Sequence, residues 1–252
     1  MRYHQQSAFI LHQHNYSETS LLLEVFTSAH GRIGLIAKGA RRPSSRLRGV
    51  LKPFQRLLIS WSGKSELGVL MGAETDGPDL ALEGPTLYCG FYMNEILLRL
   101  LHRHDSHSAL FEAYDSALRN LRLATSNEPM LRIFEKHLLR ELGYGLVLDQ
   151  DIEDRMPVDP EAMYDYVLDR GPVRLVHPEL NIPTVGIRVR GASLLALAQE
   201  SFNDPAALRD AKALMRAALS RHLGDKPLNT RKLFRHVLPL NVVEPEVDKT
   251  GR

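Results

Sequence analysis

Near residue 76 the hydrophobic pattern changes period, from alternation at every second residue to recurrence every three or four, so one kind of secondary structure does not account for the chain. Before that point five short runs, at roughly 8–14, 20–27, 32–38, 55–61 and 66–73, are rich in Leu, Ile, Val, Phe or Trp and bounded by turn residues. That is enough strand for a small barrel. Ser28 to Gly31 make a tight connection between the second and third runs, with Gly31 free to take a positive φ. Gly39 to Pro53 form a long loop, and five strands with one such loop suit an OB-type barrel.

After the turn-rich joint TDGPDLALEGP, the pattern predicts helices at about 86–102, 109–124 and 129–142, with Pro129 in a first turn and Gly143 as a terminator. Between Val147 and Arg190 the texture is strand-like, with a hairpin turning at Asp169 to Pro172. Helices return at Ser193 and from Asp204 to His222, and Thr230 caps a last segment closed by Pro239. The expected class is α+β: an OB-fold barrel over 1–80, a mainly helical domain over 81–242 with a strand-rich insert at about 147–190, and a polar tail over 243–252.

Charge is unevenly spread over this frame. From Phe26 through Ser65 there are nine Lys or Arg and no Asp or Glu, although the whole chain has a net charge of only +2. The first eighty residues hold ten basic and six acidic groups, so the positive field belongs to them. Arg32, Lys38, Arg41, Arg42, Arg46, Arg48, Lys52, Arg56 and Lys64 lie on or between apolar runs and follow no helical period. A basic loop can serve solubility alone. Because no acid interrupts this one, it favours a nucleic acid or another polyphosphate as partner.

Cys89 is the one cysteine, which excludes an internal disulfide and a cysteine-cluster zinc site and suits a small buried apolar residue. No apolar stretch reaches the length of a membrane span, and MRYHQQSAF lacks the form of a leader, so a cytoplasmic protein without membrane contact is expected. There is no phosphate loop, dinucleotide fingerprint, nucleophile elbow or HExxH helix. His102, His104 and His107 with Asp105 straddle a helix end, where a solvated terminus competes with metal ligation. Asp149, Asp151, Glu153 and Asp154 read as a hydrated loop against a divalent-cation site. His12 and His14 share a face of the first strand. The balance points to a binding protein without catalysis, metal or cofactor; a metal-dependent nuclease or phosphoesterase and an OB-fold RNA-binding protein are the competing readings.

Tyr16, Phe26, Phe54 and Trp61 have rings that can stack on unpaired bases, a contact worth about 1–3 kcal/mol per base. Core packing is the alternative for each: Trp61 alternates with Leu57 and Ile59, while Phe54 follows Pro53 at the end of the basic loop. In the helical part, Arg132, Lys136 and Arg140 recur at four-residue spacing beside Leu131, Phe134, Leu138, Leu139 and Leu142. They make either a salt-bridged helix surface or a basic rim around a groove for an acidic peptide with an apolar end. Arg231, Lys232 and Arg235 around Leu233 and Phe234 form a second cluster of that kind.

Three segments, in this order, resemble the bacterial RecO recombination mediators: AFILHQHNYSETSLLLEVFTSAHGRIGLIAKGARR followed by RLRGVLKPF, then LRIFEKHLLRELGYG, then GDKPLNTRKLFRHVLP. The resemblance covers nearly the whole chain. It implies an OB barrel joined to a helical domain, and an activity without bond chemistry in DNA repair and recombination. Such proteins bind single- and double-stranded DNA, anneal strands coated with single-stranded DNA-binding protein (SSB), and act with RecR to help RecA replace that coat, at the nucleoid. Carried onto this sequence, DNA contact falls on Lys38, Arg41, Arg42, Arg46 and Arg48, with Lys52 and Arg56 nearby; the acid-free stretch itself adds Arg32 to the candidate contacts, and Phe54 and Trp61 stay stacking candidates by their own positions. Docking of the acidic SSB tail falls on Arg132, with Lys232 and Arg235 behind it. The four-cysteine zinc site of some members has no counterpart here, since 149–181 contains no cysteine.

Overall fold

The computed structural model describes residues 1–63, 66–78, 81–123, 126–177, 185–224 and 226–230. Five strands, β1 (Arg2–Asn15), β2 (Leu21–Thr27), β3 (Gly31–Ala37), β4 (Leu57–Ser62) and β5 (Leu67–Thr75), close into a barrel in the order β1-β2-β3-β5-β4. β3 and β5 pair in parallel, which closes the sheet. β1 serves two neighbours: its first half pairs with β4 from Arg2↔Ser62 to Ala8↔Leu57, and its second with β2 up to Asn15↔Leu21. Register shifts at Tyr3/Gln6 and Ile10/His12 bend it between them. β1 therefore begins well before its apolar run, because Arg2 to Gln6 supply backbone to β4 without burying an alternating face.

Ala8, Ile10, Leu23, Val25, Leu35, Leu57, Ile59 and Trp61 point inward and form the barrel's own core. One end is plugged from the long loop. There LRGV forms a single helical turn, α1 (Leu47–Val50), within the stretch expected to be loop; Leu47 and Val50 pack against that core beside buried Leu51.

The remainder is helical: α2 (Gly84–Leu100), α3 (Ser108–Leu123), α4 (Glu128–Glu141), α5 (Gly191–Ala198) and α6 (Pro205–Leu223). Local chemistry sets their ends. Asp204 accepts a bond from Ala206 N at 2.8 Å ahead of Pro205, and Gly143 (φ 84°) and Gly224 (φ 68°) take left-handed conformations after α4 and α6. Between α4 and α5 lies a three-stranded antiparallel sheet, ordered β7-β6-β8, of β6 (Met163–Val167), β7 (Gly171–Arg174) and β8 (Ile187–Arg190). Among the described residues, no helix is long and apolar enough to cross a membrane.

Barrel and helices share a second core. Phe9, Phe26 and Phe54 point outward from the barrel into the helices, with ring centroids 5.2 Å (Phe9–Phe111), 5.4 Å (Phe26–Phe111) and 5.1 Å (Phe54–Phe91) apart. Asn94 Nδ2 donates to the Leu11 carbonyl at 2.9 Å and its Oδ1 accepts from Tyr114 Oη at 2.5 Å, satisfying a polar group at the centre of the contact. At Gly31, φ is 62° and a Cβ would stand 1.8 Å from the Asp105 carbonyl oxygen, so only glycine admits that approach. The α2 thiol of Cys89 is buried, which pushes its pKa up to about 11.

Candidate nucleic-acid interface

The loop between β3 and β4 carries Lys38, Arg41, Arg42, Arg46, Arg48 and Lys52, all exposed. Its backbone is folded by successive turns, with Arg42 N donating to Gly39 O at 3.1 Å, Ser45 N to Arg42 O at 3.0 Å and Arg48 N to Ser45 O at 3.3 Å. Arg41 ties the loop to the β1–β2 connection: its backbone N donates to Thr19 O at 2.9 Å and its Nη1 to Ser17 O at 2.8 Å. The loop therefore presents six exposed cations in a stretch without a carboxylate, next to the β1–β2 connection that carries exposed Glu18. An array of that kind is stabilised by a polyanion that releases its counterions on contact.

Arg32 and Arg56, expected beside these, belong to a different place. Arg32 Nη1 donates to the Leu98 carbonyl at the end of α2, and Glu24 lies 4.0 Å from its Nε. Burial pushes its guanidinium below the ordinary value, Glu24 opposes this, and neighbouring Arg103 adds to it. Arg103 closes the group by bonding Glu24, and its Nη1 sits where a Cβ on Gly34 would be 2.6 Å away. Arg56 reaches Asp76 at 3.0 Å, Asp115 at 3.1 Å, Glu112 at 3.5 Å and Ser7 at 3.4 Å, and lies 5.4 Å from the Phe111 ring centroid. Burial opposes its charge, but Glu112 and Asp115 outweigh it and raise the pKa. Both arginines join the barrel to the helices and are engaged there, with side chains 19% and 21% exposed.

The two stacking candidates are likewise inside. Phe54, at φ 65°, is 2% exposed beneath Phe91, so closely that a Cβ on Gly90 would stand 2.7 Å from its ring. Trp61 is 5% exposed and stacks on Tyr3 at 4.5 Å, with His30 edge-on at 5.5 Å. Its alternation with Leu57 and Ile59 was the interior signal. Phe26 is fully buried, which leaves Tyr16, 55% exposed, as the solvent-facing ring of the four. A cavity of about 240 Å³ at the opposite barrel end is lined by Tyr3, His30, Trp61, Glu66 and His104 among others.

On α4 the cations are drawn into structure. Arg132 is 6% exposed and its Nη2 bonds Glu135, itself out of solvent, at 2.8 Å; Glu135 also accepts from Tyr92 Oη at 2.5 Å. Lys136 donates to Leu197 O at 3.1 Å and Ala198 O at 3.0 Å, capping α5, and pairs with Glu200 at 2.6 Å. Arg140 is the exposed member of the set, with Nη2 2.8 Å from His137 Nδ1. The salt-bridged surface is thus the arrangement for Lys136. Arg132 keeps a buried Nε without a hydrogen-bond acceptor, 4.0 Å from Glu128. Lys232 and Arg235, with Arg231 and the segment ending at Pro239, lie outside the described residues.

The acidic loop of the insert is built around Asp151, 3% exposed, which accepts from Glu153 N at 2.7 Å and Arg174 N at 2.7 Å and so staples the loop to β7. His107 Nε2 lies 3.3 Å from Asp105 Oδ2, while His104 uses its backbone N on Arg32 O at 3.0 Å. Among the described residues, no group of three His, Cys, Asp or Glu is placed to hold a metal ion.

Two family descriptions match the chain. Recombination protein O N terminal covers residues 1–77, and recombination protein O C terminal covers residues 82–232. The DNA repair protein RecO of Nitrosospira multiformis is 47% identical over 91% of this chain and 94% of its own length. That of Nitrosococcus oceani is 44% identical over 99% and 100%, and that of Coxiella burnetii 47% identical over 91% and 96%.

Proposed function

The chain belongs to the RecO family of DNA repair proteins, and on that premise we propose that it binds single- and double-stranded DNA through the loop between β3 and β4, anneals SSB-coated complementary strands and, with RecR, helps to load RecA. The observation that carries this reading is the exposed set Lys38, Arg41, Arg42, Arg46, Arg48 and Lys52 in a stretch without a carboxylate. Two strands approach each other against the repulsion of their phosphates. A group of fixed cations that contacts both backbones lowers that barrier without reading bases and without a nucleotide.

SSB recognition is assigned to α4. Arg132 is the carboxylate partner in this reading, on the resemblance of the LRIFE segment; it is 6% exposed and held by Glu135 and Glu128, so a tail would have to exchange with these carboxylates, while Arg140 on the same helix is already exposed. An acidic tail would bind that guanidinium while its apolar end packs by the helix; Lys232 and Arg235 are assigned to the same peptide.

The test is the annealing rate of complementary strands precoated with SSB, with and without the protein and without nucleotide. Acceleration is expected, and it should be lost in Arg41→Ala/Arg42→Ala. If bare strands bind but coated strands anneal no faster, the mediator reading fails and a general nucleic-acid binder is left.

A further inference from the structure

The barrel is filled at the end that α1 plugs and open at the other. There a cavity of about 240 Å³ lies between the start of β1, the β2–β3 connection and the start of β5. Ile33 and Leu35 give it an apolar side. A missing side chain shapes it: a Cβ on Gly68 would stand 2.8 Å from Leu35 Cδ2 and 3.0 Å from Trp61 Cδ1, so bare backbone lets both side chains seat where they do.

Three rings make a corner of this cavity. Tyr3 and Trp61 stack with centroids 4.5 Å apart and planes at 17°, and His30 stands across both at 66° and 83°, with centroids 4.7 Å and 5.5 Å away. The face of an aromatic ring carries the negative part of its quadrupole, which attracts a cation and suits a planar one. Glu66 and His104 complete the polar lining. Glu66 is exposed, and among the described residues its carboxylate makes no hydrogen bond or ion pair. Arg103 meets Glu66 only at its carbonyl, 3.3 Å from Nη1, and gives its Nη2 to Glu24. Arg2 precedes Tyr3 on the strand and so projects to the other face. His104 takes φ 61°, uncommon for a residue with a Cβ, and is pinned there by the bond from its N to Arg32 O at 3.0 Å.

We infer that this cavity is a socket for an arginine side chain of a protein partner, whose guanidinium lies against the ring corner and bonds the Glu66 carboxylate. The volume is below the roughly 300 Å³ at which pockets for drug-sized ligands begin, so it suits one side chain and not a nucleotide. An apolar side chain would leave Glu66 and two imidazoles unanswered, and an acidic one would meet like charge. The inference does not depend on the DNA-binding reading, which rests on the basic loop.

Trp61 is the only tryptophan in the chain, so its fluorescence reports on this cavity. N-acetylarginine methylamide, titrated into the full chain at constant ionic strength, should change that emission saturably. The citrulline analogue, nearly the same in shape but uncharged, should bind about ten-fold more weakly. Glu66→Gln should weaken the arginine probe by about the same factor, and because the side chain is exposed the variant should melt as the parent does. No saturable change, an equal response to both probes, or undiminished binding by Glu66→Gln would overturn the socket. Tighter binding of free arginine than of the capped form would make the occupant a small molecule and overturn the protein partner. Displacement of the probe by a short oligonucleotide would give the cavity to nucleic acid and overturn it equally.

Discussion

Arg42 and Arg56 come from one acid-free stretch of sequence and meet opposite surroundings. The loop cations are exposed to solvent, where a polyanion can reach them. Arg56 and Arg32 face carboxylates and carbonyls brought by elements far along the chain: Glu112 and Asp115 on α3, and Leu98 on α2. A run of charge along a sequence therefore divides in space according to which strand row each residue occupies. The same side chain faces solvent in one place and fastens the barrel to the helices in the other.

The division is most sharply broken at Arg56. Arg56→Ala removes charged hydrogen bonds to Asp76 and Asp115, with Asp115 only 5% exposed, and should cost about 2 kcal/mol in stability. Urea unfolding measures that loss, and DNA affinity corrected for the unfolded fraction should stay as in the parent. Unchanged stability with weakened DNA binding would return Arg56 to the DNA face.

How far the sequence carried this picture depends on the range of the interactions. The five strands and most helices were legible because period and turn chemistry are local. The start of β1 was not, since Arg2 to Gln6 are held by pairing to β4 rather than by an apolar pattern. α1 was hidden inside a loop, though Leu47, Val50 and Leu51 have helical spacing. The seam did leave one signal: Phe9 beside Ile10 and Phe26 beside Val25 break the alternation, which marks strands buried on both faces. Arg32 pairs with Phe26 in register and so lies on the covered row. Nothing local announced the partners of Arg56, because Asp115 and Glu112 belong to a helix whose docking is tertiary. Among the candidate residues, the exposure of the loop set followed from its charge and the burial of Trp61 from its alternation, whereas the burial of Phe54 beneath Phe91 is set by tertiary packing.

The loop side of the comparison yields a smaller, purely electrostatic effect. Arg41→Ala/Arg42→Ala should change stability by less than about 0.5 kcal/mol, the range of ordinary surface substitutions. The same variant should flatten the log–log salt dependence of single-strand binding by about 1.4, at roughly 0.7 for each phosphate no longer neutralised. Fluorescence titrations at several salt concentrations give both slopes. An unaltered slope would place the phosphates elsewhere and remove the contrast with the seam.

A third fastening tests whether such contacts hold by charge, and it titrates on the carboxylate side. Glu95 on α2 accepts from Thr230 N at 2.9 Å, Thr230 Oγ1 at 2.7 Å and Asn229 N at 2.7 Å, fixing the end of the described chain against the helical core. Burial works against its ionised form, but the bonds from Thr230 and Asn229, with Arg99 nearby, outweigh it and hold the carboxyl below its ordinary value. A depressed folded pKa means that the stabilisation is complete above the unfolded carboxylate value of about 4.3 and is lost as pH falls through the folded value. Glu95→Gln keeps an acceptor but removes the charge. The stability difference between parent and variant, from urea melts, should be constant from pH 7 to about 5 and shrink below about 4.3. A difference that persists undiminished to about pH 3 would show that shape and neutral hydrogen bonds hold this segment, in contrast to the charged contacts of the barrel seam.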